Sequence, residues 1–189
     1  MTKRICFFIG SVSGKGGTER VCLEVANNLV SSGYEVSIVS LYEGENPFFE
    51  LNSQIKLYQL YSQNTSFTSK YFQAINKLKH HLKNNTYDVF VSVETILCMY
   101  SVPALIFNKI PHIAWEHFNY EVTFGLRVRK WARFLAAKFA QKIVVLTTRD
   151  MDLWDSALHC KSKLVCITNP LVFKLNDQLR SEEHTSELQ

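Results

Sequence analysis

The chain contains 189 residues, of which 47% are hydrophobic and 20% charged, with 21 Lys and Arg against 17 Asp and Glu and a net charge of +4. This length and apolar content suffice for one domain with a sizeable core. No apolar run approaches the roughly 18 residues of a membrane-spanning helix, and the five cysteines show neither a CxxC pair nor a zinc-binding spacing. The composition therefore predicts a cytoplasmic protein with reduced, buried thiols and argues against a membrane-spanning or zinc-stabilised one.

The N-terminal part of the chain predicts a βαβ unit. An apolar run at residues 5–9 is followed by a glycine-rich turn at 14–17, a helix with one apolar side at 18–32, and a second apolar run at 36–39. Gly33 stands where a helix C-cap glycine belongs. Glycines let the backbone approach a ligand, and a helix N-terminus offers unpaired N–H groups and the positive end of a dipole. The turn is therefore predicted to face a phosphate or diphosphate.

Strands and helices alternate through the rest of the sequence. The predicted strands are 55–58, 87–93, 112–117, 142–146 and 163–167, and the predicted helices are 67–83, 95–108, 124–141 and 149–158. Helices between strands indicate a parallel sheet with helices on both faces, which is an α/β, Rossmann-like, doubly wound fold. Ligands bind such sheets at the carboxyl ends of the strands. That rule selects the glycine turn and the strand-end residues Glu94, Glu116 to Asn119, Thr147 to Arg149, and Thr168 with Asn169.

The glycine turn resembles two well-known motifs without matching either. A P-loop needs four residues between its glycines, whereas Gly10 and Gly14 are separated by three, and Gly16 stands where Ser or Thr must follow Lys15. The dinucleotide pattern GxGxxG fails as well. A P-loop ATPase remains a distant alternative, which an assay for Mg²⁺-dependent ATP hydrolysis would detect.

Several segments together resemble the retaining glycosyltransferases of the GT-B fold, family four. The first is Gly16-Gly17-Thr18-Glu19-Arg20-Val21 with the helix end and strand start at 29–36. The others are Trp115 to Asn119 after a central strand, Val145-Leu146-Thr147 at the end of the next strand, and Ile167-Thr168-Asn169-Pro170 before the crossover into a second domain. The similarity extends from Ile5 to about Pro170, and the chain is expected to be the N-terminal, acceptor-side half of the fold.

The resemblance implies transfer of a sugar from a nucleotide-sugar to a saccharide or lipid-linked acceptor, with the anomeric configuration retained. His117 is expected to be catalytic, contacting the donor sugar or placing the acceptor hydroxyl. The residues expected at the donor diphosphate are Lys15, Gly16, Gly17 and Thr18. The residues expected to bind substrate are Glu116, Asn119, Thr147, Arg149 and Asn169. No metal and no cofactor besides the nucleotide-sugar substrate are expected.

Five of these residues also have a structural interpretation. The alternatives are a packed histidine at His117, a side chain on the other sheet face at Glu116, a solvated turn lysine at Lys15, a helix cap at Thr147, and a local ion pair at Arg149. For the protein as a whole, the alternative is a non-catalytic sugar- or nucleotide-binding module of similar fold.

The end of the sequence is expected to be foreign to the domain. Residues 180–189 are polar, lack periodicity, and resemble a translated sequencing adapter, although a solvated native tail is the alternative. We therefore predict one domain at residues 1–179, with the nucleotide-binding second domain missing and the fragment inactive alone. Without the tail's one arginine and three glutamates, the net charge of the domain is +6.

Two predicted helices carry many basic residues. In the helix at 124–141 the pattern places one set of side chains inside: Val128, Trp131, Leu135 and Phe139. It places another set outside: Arg127, Arg129, Lys130, Arg133 and Lys138. The helix at 67–83 is similarly basic. These faces are either solvated or form a peripheral surface for anionic lipid at the inner face of the cytoplasmic membrane. No nucleic-acid partner is expected, because no aromatic platforms are organised among the basic residues.

Overall fold

The computed structural model describes residues 2–64 and 70–170, which form a seven-stranded parallel sheet covered by helices. The strands are β1 Arg4–Ile9, β2 Glu35–Tyr42, β3 Lys56–Tyr61, β4 Val89–Val93, β5 His112–Trp115, β6 Lys142–Val145 and β7 Leu164–Cys166. The helices are α1 Gly17–Ser31, α2 Tyr71–Asn84, α3 Cys98–Leu105, α4 Arg127–Phe139 and α5 Thr148–Leu158. The strand order is β3-β2-β1-β4-β5-β6-β7, and every neighbouring pair is parallel. The predicted α/β Rossmann-like sheet is confirmed.

The helices are divided unequally between the two faces of the sheet. Phe7 and Ile9 pack with α1 in one core cluster, whereas Cys6 and Phe8 face the opposite layer with α2 and α3. Further along that second face, Ala114 of β5 and its neighbour Ile143 of β6 pack with α3, α4 and α5. The connections from β1 to β2 and from β2 to β3 run one way along the sheet, and the connections after β3 run the other way. Right-handed crossovers therefore place α1 alone on one face and the other four helices on the other.

The end of α1 follows the predicted glycine signal. Gly33 has a φ of +86°, a left-handed conformation in which a Cβ would be strained. Its N–H donates to the Val30 carbonyl at 2.9 Å, and the Tyr34 N–H donates to the Leu29 carbonyl at 3.0 Å. These two bonds satisfy carbonyls that lack partners within the helix, so the chain leaves α1 cleanly and enters β2.

The connection between β4 and β5 contains less α-helix than the predicted 95–108. It begins with a 3₁₀ turn at Thr95–Leu97, and α3 ends at Leu105. Pro103 lies inside α3 and cannot donate a hydrogen bond to the carbonyl of Met99, four residues earlier. That carbonyl instead accepts a hydrogen bond from the Tyr71 hydroxyl at 2.7 Å. The proline is thus accommodated because α2 supplies the missing donor.

The helix α4 presents a different face to the sheet from the predicted one. Its buried residues are Arg129, Ala132, Arg133 and Ala136, in place of the expected set of Val128, Trp131, Leu135 and Phe139. Trp131 is 65% exposed. The expectation from apolar periodicity was wrong here, because two glutamates at the strand ends below the helix pair with its arginines.

The start of α4 also differs from the prediction. The helix α4 begins at Arg127 instead of residue 124, because Phe124 (φ 50°) and Gly125 (φ 71°) both have left-handed backbones that an α-helix cannot include. The predicted start of the preceding basic helix at residue 67 lies outside the described residues, and so do the predicted domain end at 179 and the tail at 180–189. Within the described part of the chain, no helix has the length and apolar character needed to cross a membrane.

Candidate functional site

A cavity of about 300 Å³ opens at the carboxyl ends of the strands, where the strand order reverses between β1 and β4. Its walls come from the ends of β1, β2 and β4, from the first turn of α1 and from the segment leading into α3. The lining residues include Ile9, Gly10, Ser11, Thr18, Glu19, Leu41, Tyr42, Val93, Glu94, Ile96, Leu97 and Tyr100. Two carboxylates and several hydroxyl groups thus surround an apolar floor. The cavity lies at the topological switch point of the sheet, and of the strand ends selected from the sequence its lining contains that of β4 with Glu94, whereas His117 is not among the lining residues.

The glycine turn forms the entrance to α1. Gly16 is the N-cap residue, with an extended backbone and no side chain to cap the helix. A Cβ added to Gly17 would meet nothing within 4 Å, so the backbone at the helix start is open to an approaching ligand. The N–H groups of a first helical turn have no partner within the helix. This arrangement suits an anion, as the sequence predicted for this turn.

An acidic side chain shares the turn. A Cβ on Gly14 or Gly16 would lie 2.5 Å from a carboxylate oxygen of Glu19, so the two glycines leave room for that side chain to fold over the loop. The carboxylate gains from the positive end of the α1 dipole. It leaves Gly17 open, and Lys15 is exposed with its Nζ 5.0 Å from the centre of the Phe48 ring. The open part of the turn is therefore the backbone at Gly17, whereas the Glu19 carboxylate lies beside Gly14 and Gly16.

His117 follows β5 and is largely buried. Its ring centre lies 4.4 Å from that of Trp115, which occupies the same sheet face two residues earlier. Burial lowers the pKa of His117 to about 4, so the imidazole is neutral near pH 7. Within the described residues, Nε2 is buried and has no hydrogen-bond partner. A neutral ring with an unused nitrogen can exchange one hydrogen bond with a ligand hydroxyl, but it does not supply a positive charge.

The structure does not bring Glu116 to the crevice. Its side chain is fully buried, and one carboxylate oxygen accepts hydrogen bonds from Arg133 Nε at 3.0 Å and from the Thr95 hydroxyl. The other oxygen accepts from the Phe118 N–H at 3.2 Å. The substrate-binding role expected for Glu116 is therefore not retained. Strand side chains alternate between faces, so Glu116 points toward α4 while His117 points the other way.

Arg133 organises the loop between β5 and α4. Besides its ion pair with Glu116, its guanidinium donates to the backbone carbonyls of Asn119, Tyr120 and Val122. The Asn119 side chain in turn accepts the Glu121 N–H at 2.9 Å. Asn119, expected to bind substrate, thus has a structural role in shaping this loop.

A second ion pair joins α4 to the cavity wall. Arg129 lies one helical turn before Arg133, and its Nη2 donates to Glu94 Oε2 at 3.2 Å. The Arg129 guanidinium lies 4.7 Å and 5.1 Å from the ring centres of Phe118 and Phe124, and its Nε and Nη1 are buried without a partner in the described part of the chain. Because Glu94 lines the cavity, this pair connects the helix directly to the site.

Glu94 is the site residue that sequence reasoning recognised only as a strand end. Its φ is +75°, which is unusual for a residue with a side chain and typical of positions held by their surroundings. Burial raises the pKa of Glu94, although the neighbouring Arg129 acts in the opposite direction. The available signal was a lone acid directly after a buried strand, followed by a short turn. The sequence alone did not show that this acid faces the cavity.

The remaining predicted residues lie at the carboxyl ends of β6 and β7, outside the cavity lining. The Thr147 hydroxyl accepts the Asp150 N–H at 3.1 Å and caps α5, which is the structural alternative considered for it. Arg149 and Asn169 are exposed. Among the predicted site residues, Thr18 lines the cavity. Within residues 2–64 and 70–170, no cluster of three or more His, Cys, Asp or Glu side chains is arranged to hold a metal ion.

The sequence and the fold match known proteins over most of the described chain. A family model described as Glycosyltransferase Family 4 matches residues 15–172. An uncharacterized glycosyltransferase from Haemophilus influenzae is 34% identical over 168 residues, which cover 89% of this chain and 47% of that protein. A Campylobacter jejuni protein, named as an alpha-1,4-N-acetyl-D-galactosaminyltransferase acting on a diphospho-undecaprenol-linked saccharide, is 29% identical over 153 residues, or 78% of this chain and 41% of its own.

A similar fold occurs in Anabaena Alr3699/HepE, solved in complex with UDP and glucose. Its TM-score is 0.66 at 12% identity, over 95% of this chain and 50% of that one, which supports the fold alone. The chain spans about half the length of the curated relatives that it matches.

Replacing Arg133 with Met should leave the Glu116 carboxylate buried without its charge partner. We expect a loss of about 3–5 kcal/mol in the free energy of unfolding, measured by urea denaturation. The double variant Glu116→Gln/Arg133→Met should recover part of this loss, because the unpaired charge is removed. Lys130→Met, on the exposed side of the same helix, is the control with little expected effect. If Arg133→Met and Lys130→Met lowered the free energy of unfolding equally, the assigned role of Arg133 would be contradicted.

The buried histidines should make the stability depend on pH. Burial lowers the pKa of both His112 and His117 to about 4, against about 6.5 in an unfolded chain. Below about pH 6.5 the unfolded chain binds protons that the folded chain does not, so the free energy of unfolding falls until about pH 4. His112→Gln and His117→Gln should each reduce this slope in urea denaturation between about pH 7 and pH 5. An unchanged slope in both variants would show that neither histidine is held neutral by the fold.

Proposed function

Because the chain belongs to glycosyltransferase family 4, we propose that it forms the acceptor-side half of an enzyme that transfers a sugar from a nucleotide-sugar to a saccharide or lipid-linked acceptor, with retention. The observation that carries this proposal is the cavity at the switch point of the sheet, bounded by the start of α1 and by Glu94. His117 follows β5. Glu94 follows β4, which is the neighbouring strand in the sheet. The donor turn, the cavity and the histidine thus lie at one edge of the sheet.

The donor diphosphate is assigned to the start of α1. Gly17 offers an open backbone, the helix dipole favours negative charge, and Lys15 supplies a nearby cation. When the bond to the sugar breaks, negative charge grows on the departing nucleotide diphosphate. Backbone N–H groups aimed at that position stabilise it without rearrangement. The UDP and glucose bound to the Anabaena protein of similar fold support a nucleotide-sugar as donor.

The acceptor is assigned to the cavity. A saccharide presents hydroxyl groups at its edge and C–H groups on its faces, which fit carboxylate and hydroxyl partners around an apolar floor. Glu94 and Glu19 can accept hydrogen bonds from sugar hydroxyls, and Tyr42 and Ser11 can donate or accept them. His117, as a neutral imidazole, is proposed to hold a hydroxyl of the donor sugar or of the acceptor.

A second domain is proposed to supply most of the nucleotide-binding surface. The matched relatives are about twice as long as the part that this chain covers, which supports a longer source protein. We propose that the chain alone is inactive, that the protein is cytoplasmic, and that it works at the inner face of the membrane. The undecaprenol-linked acceptor named for the Campylobacter relative supports that last point.

The proposal is tested with the source DNA and the complete enzyme. Sequencing past the codon for Leu179 should reveal a second α/β domain in frame. The complete enzyme should then release nucleotide from one of a panel of nucleotide-sugars in the presence of an acceptor, and NMR of the product should show a retained anomeric configuration. A stop codon with no second domain would favour the non-catalytic binding module instead.

Gly17→Ala should separate donor binding from folding. The added methyl meets no neighbouring atom and alanine favours helices, so the thermal midpoint should stay the same or rise. If the diphosphate approaches this backbone, kcat/KM of the complete enzyme for the donor should fall about tenfold or more, equivalent to about 1.4 kcal/mol. Ser31→Ala at the far end of α1 is the matched control. An unaffected kcat/KM in Gly17→Ala would remove the diphosphate from this turn.

Glu94→Gln should report on the acceptor. Glutamine keeps the shape of the side chain but loses the charge that strengthens hydrogen bonds from sugar hydroxyls. We expect the acceptor KM of the complete enzyme to rise about tenfold, while hydrolysis of the donor without acceptor is unchanged. Glu35→Gln, at the opposite end of the strands, is the control. Equal losses in both reactions would show that Glu94 supports the fold and does not bind acceptor.

A further inference from the structure

The cavity at the carboxyl ends of the strands is bordered by negative charge. Two of its lining residues are acidic, Glu94 after β4 and Glu19 in the first turn of α1. Among the described residues that line it, none is Lys, Arg or His. The other lining groups are hydroxyls, one amide, backbone and apolar side chains. A ligand that enters this cavity therefore meets carboxylate oxygens and no cation.

The charge of Glu94 is supported from behind the cavity wall. Arg129 Nη2 donates to Glu94 Oε2 at 3.2 Å, and the Arg129 side chain is buried and does not line the cavity. This contact favours the ionised carboxylate and opposes the burial that raises the pKa of Glu94. A ligand in the cavity is thus in contact with the negative partner of the pair, while the positive partner stays behind it.

The charge of Glu19 has no such partner. None of the ion pairs within residues 2–64 and 70–170 includes Glu19. Its carboxylate lies beside Gly14 and Gly16 at the start of α1, where the positive end of the helix dipole favours the ionised form. Glu19 therefore contributes a negative charge that no described Lys or Arg side chain neutralises.

Both carboxylates act on the same part of the cavity, where the Tyr42 hydroxyl lies. A Cβ added to Gly10 would be 3.8 Å from that oxygen, and both residues line the cavity. Burial raises the pKa of Tyr42, and the negative charges of Glu43, Glu19 and Glu94 raise it further. Tyr42 is therefore a neutral hydroxyl that can donate to a ligand oxygen, in a region where the potential is negative.

Sugars of the same shape but different charge should bind this cavity differently. A neutral sugar offers hydroxyl donors to the carboxylates. A uronic acid or a sugar phosphate would bring a further negative charge into a partly desolvated site with no cation to pair with it. A protonated amino group carries the opposite charge and gains from the same carboxylates. We propose that the cavity selects its acceptor by charge, taking neutral sugars and sugars with a free amino group and excluding uronic acids and sugar phosphates.

The inference rests on the proposed function and deepens it, because it names the chemical class of the acceptor. Phosphate groups of a lipid-linked acceptor would have to remain outside the cavity for the same reason. The donor diphosphate is compatible with this selection, because it is assigned to the backbone at Gly17, which is not part of the cavity lining.

Matched methyl glycosides test the selection with the chain as it is. Methyl glucoside, glucuronide and glucosaminide share one ring and differ in charge, and the corresponding galactose series repeats the comparison. Dissociation constants are measured by NMR titration at neutral pH and low salt. In at least one series the uronide should bind about tenfold more weakly than the neutral glycoside, equivalent to about 1.4 kcal/mol, and the amino sugar should bind most tightly. Equal constants within both series, or no binding of any glycoside, would overturn the proposal.

Two substitutions assign the selection to the cavity. Glu19→Gln and Glu94→Gln each remove one charge and keep a side chain of similar shape. Each should lower the ratio of the uronide constant to the neutral one about threefold, because two charges share the tenfold effect, and the double variant should bring it close to one. Glu19 is partly exposed in the first turn of α1, so its variant tests the selection without disturbing the ion pair at Glu94.

Glu24→Gln and Glu35→Gln are the matched controls. Glu24 lies on the same helix as Glu19, and Glu35 begins β2 at the opposite end of the strands; neither lines the cavity. Both controls should keep the wild-type ratio. A control that lowered the ratio as much as the cavity variants would show that the overall charge of the protein, and not the cavity, repels the uronides, and this would overturn the proposal.

Assays of the complete enzyme separate this inference from the proposed function. Its kcat/KM should be at least about tenfold higher for a neutral acceptor than for the uronic acid of the same ring. Equal use of the two acceptors would overturn the charge selection and leave the proposed sugar transfer standing. Charge-selective binding by a chain whose complete enzyme transfers no sugar would overturn the proposed function and leave the selectivity of the cavity standing.

Discussion

The buried guanidinium of Arg133 is the contact on which the site end of the molecule depends. It neutralises the fully buried Glu116 and donates to three carbonyls of the loop that follows β5. A charged pair removed from water is stable only when its remaining donors and acceptors are also satisfied, and here the loop backbone satisfies them. The pair therefore fixes the loop and α4 together, and it orients His117 by holding the residue before it.

The second pair extends the same constraint into the cavity. Arg129 is one turn from Arg133, so both side chains lie on the same buried side of α4, together with the small residues Ala132 and Ala136. Glu94, which accepts a hydrogen bond from Arg129, has a strained backbone with a φ of +75°, and this contact helps to offset the cost of that strain. Two arginines on one helix thus bind the residues that follow two neighbouring strands, and the Arg129–Glu94 pair fixes the position of Glu94 in the cavity wall.

Most of the fold could be predicted because it follows from local patterns. Apolar runs, Gly33 and the alternation of strands and helices were sufficient for the parallel sheet, and the carboxyl-end rule located the crevice. Side-chain roles were less predictable, since they depend on contacts between distant segments. Glu116 and Asn119 follow a strand as ligand-binding residues do, yet Arg133 binds one directly and the other through its carbonyl. The local pattern marks Glu94 only as an acid directly after a buried strand, and the crossover geometry places it in the cavity wall.

The orientation of α4 shows why apolar periodicity predicted the wrong buried face for this helix. Apolar spacing predicts burial of Trp131 only if burying rings is the strongest demand on the helix. Two unpaired carboxylates under α4 would cost several kcal/mol each, more than the gain from burying one ring. Turning the arginines inward necessarily turns Trp131 and Phe134 outward, since they share one rigid helix. The internal ion pairs and the exposed aromatic side chains are therefore two consequences of one orientation of the helix.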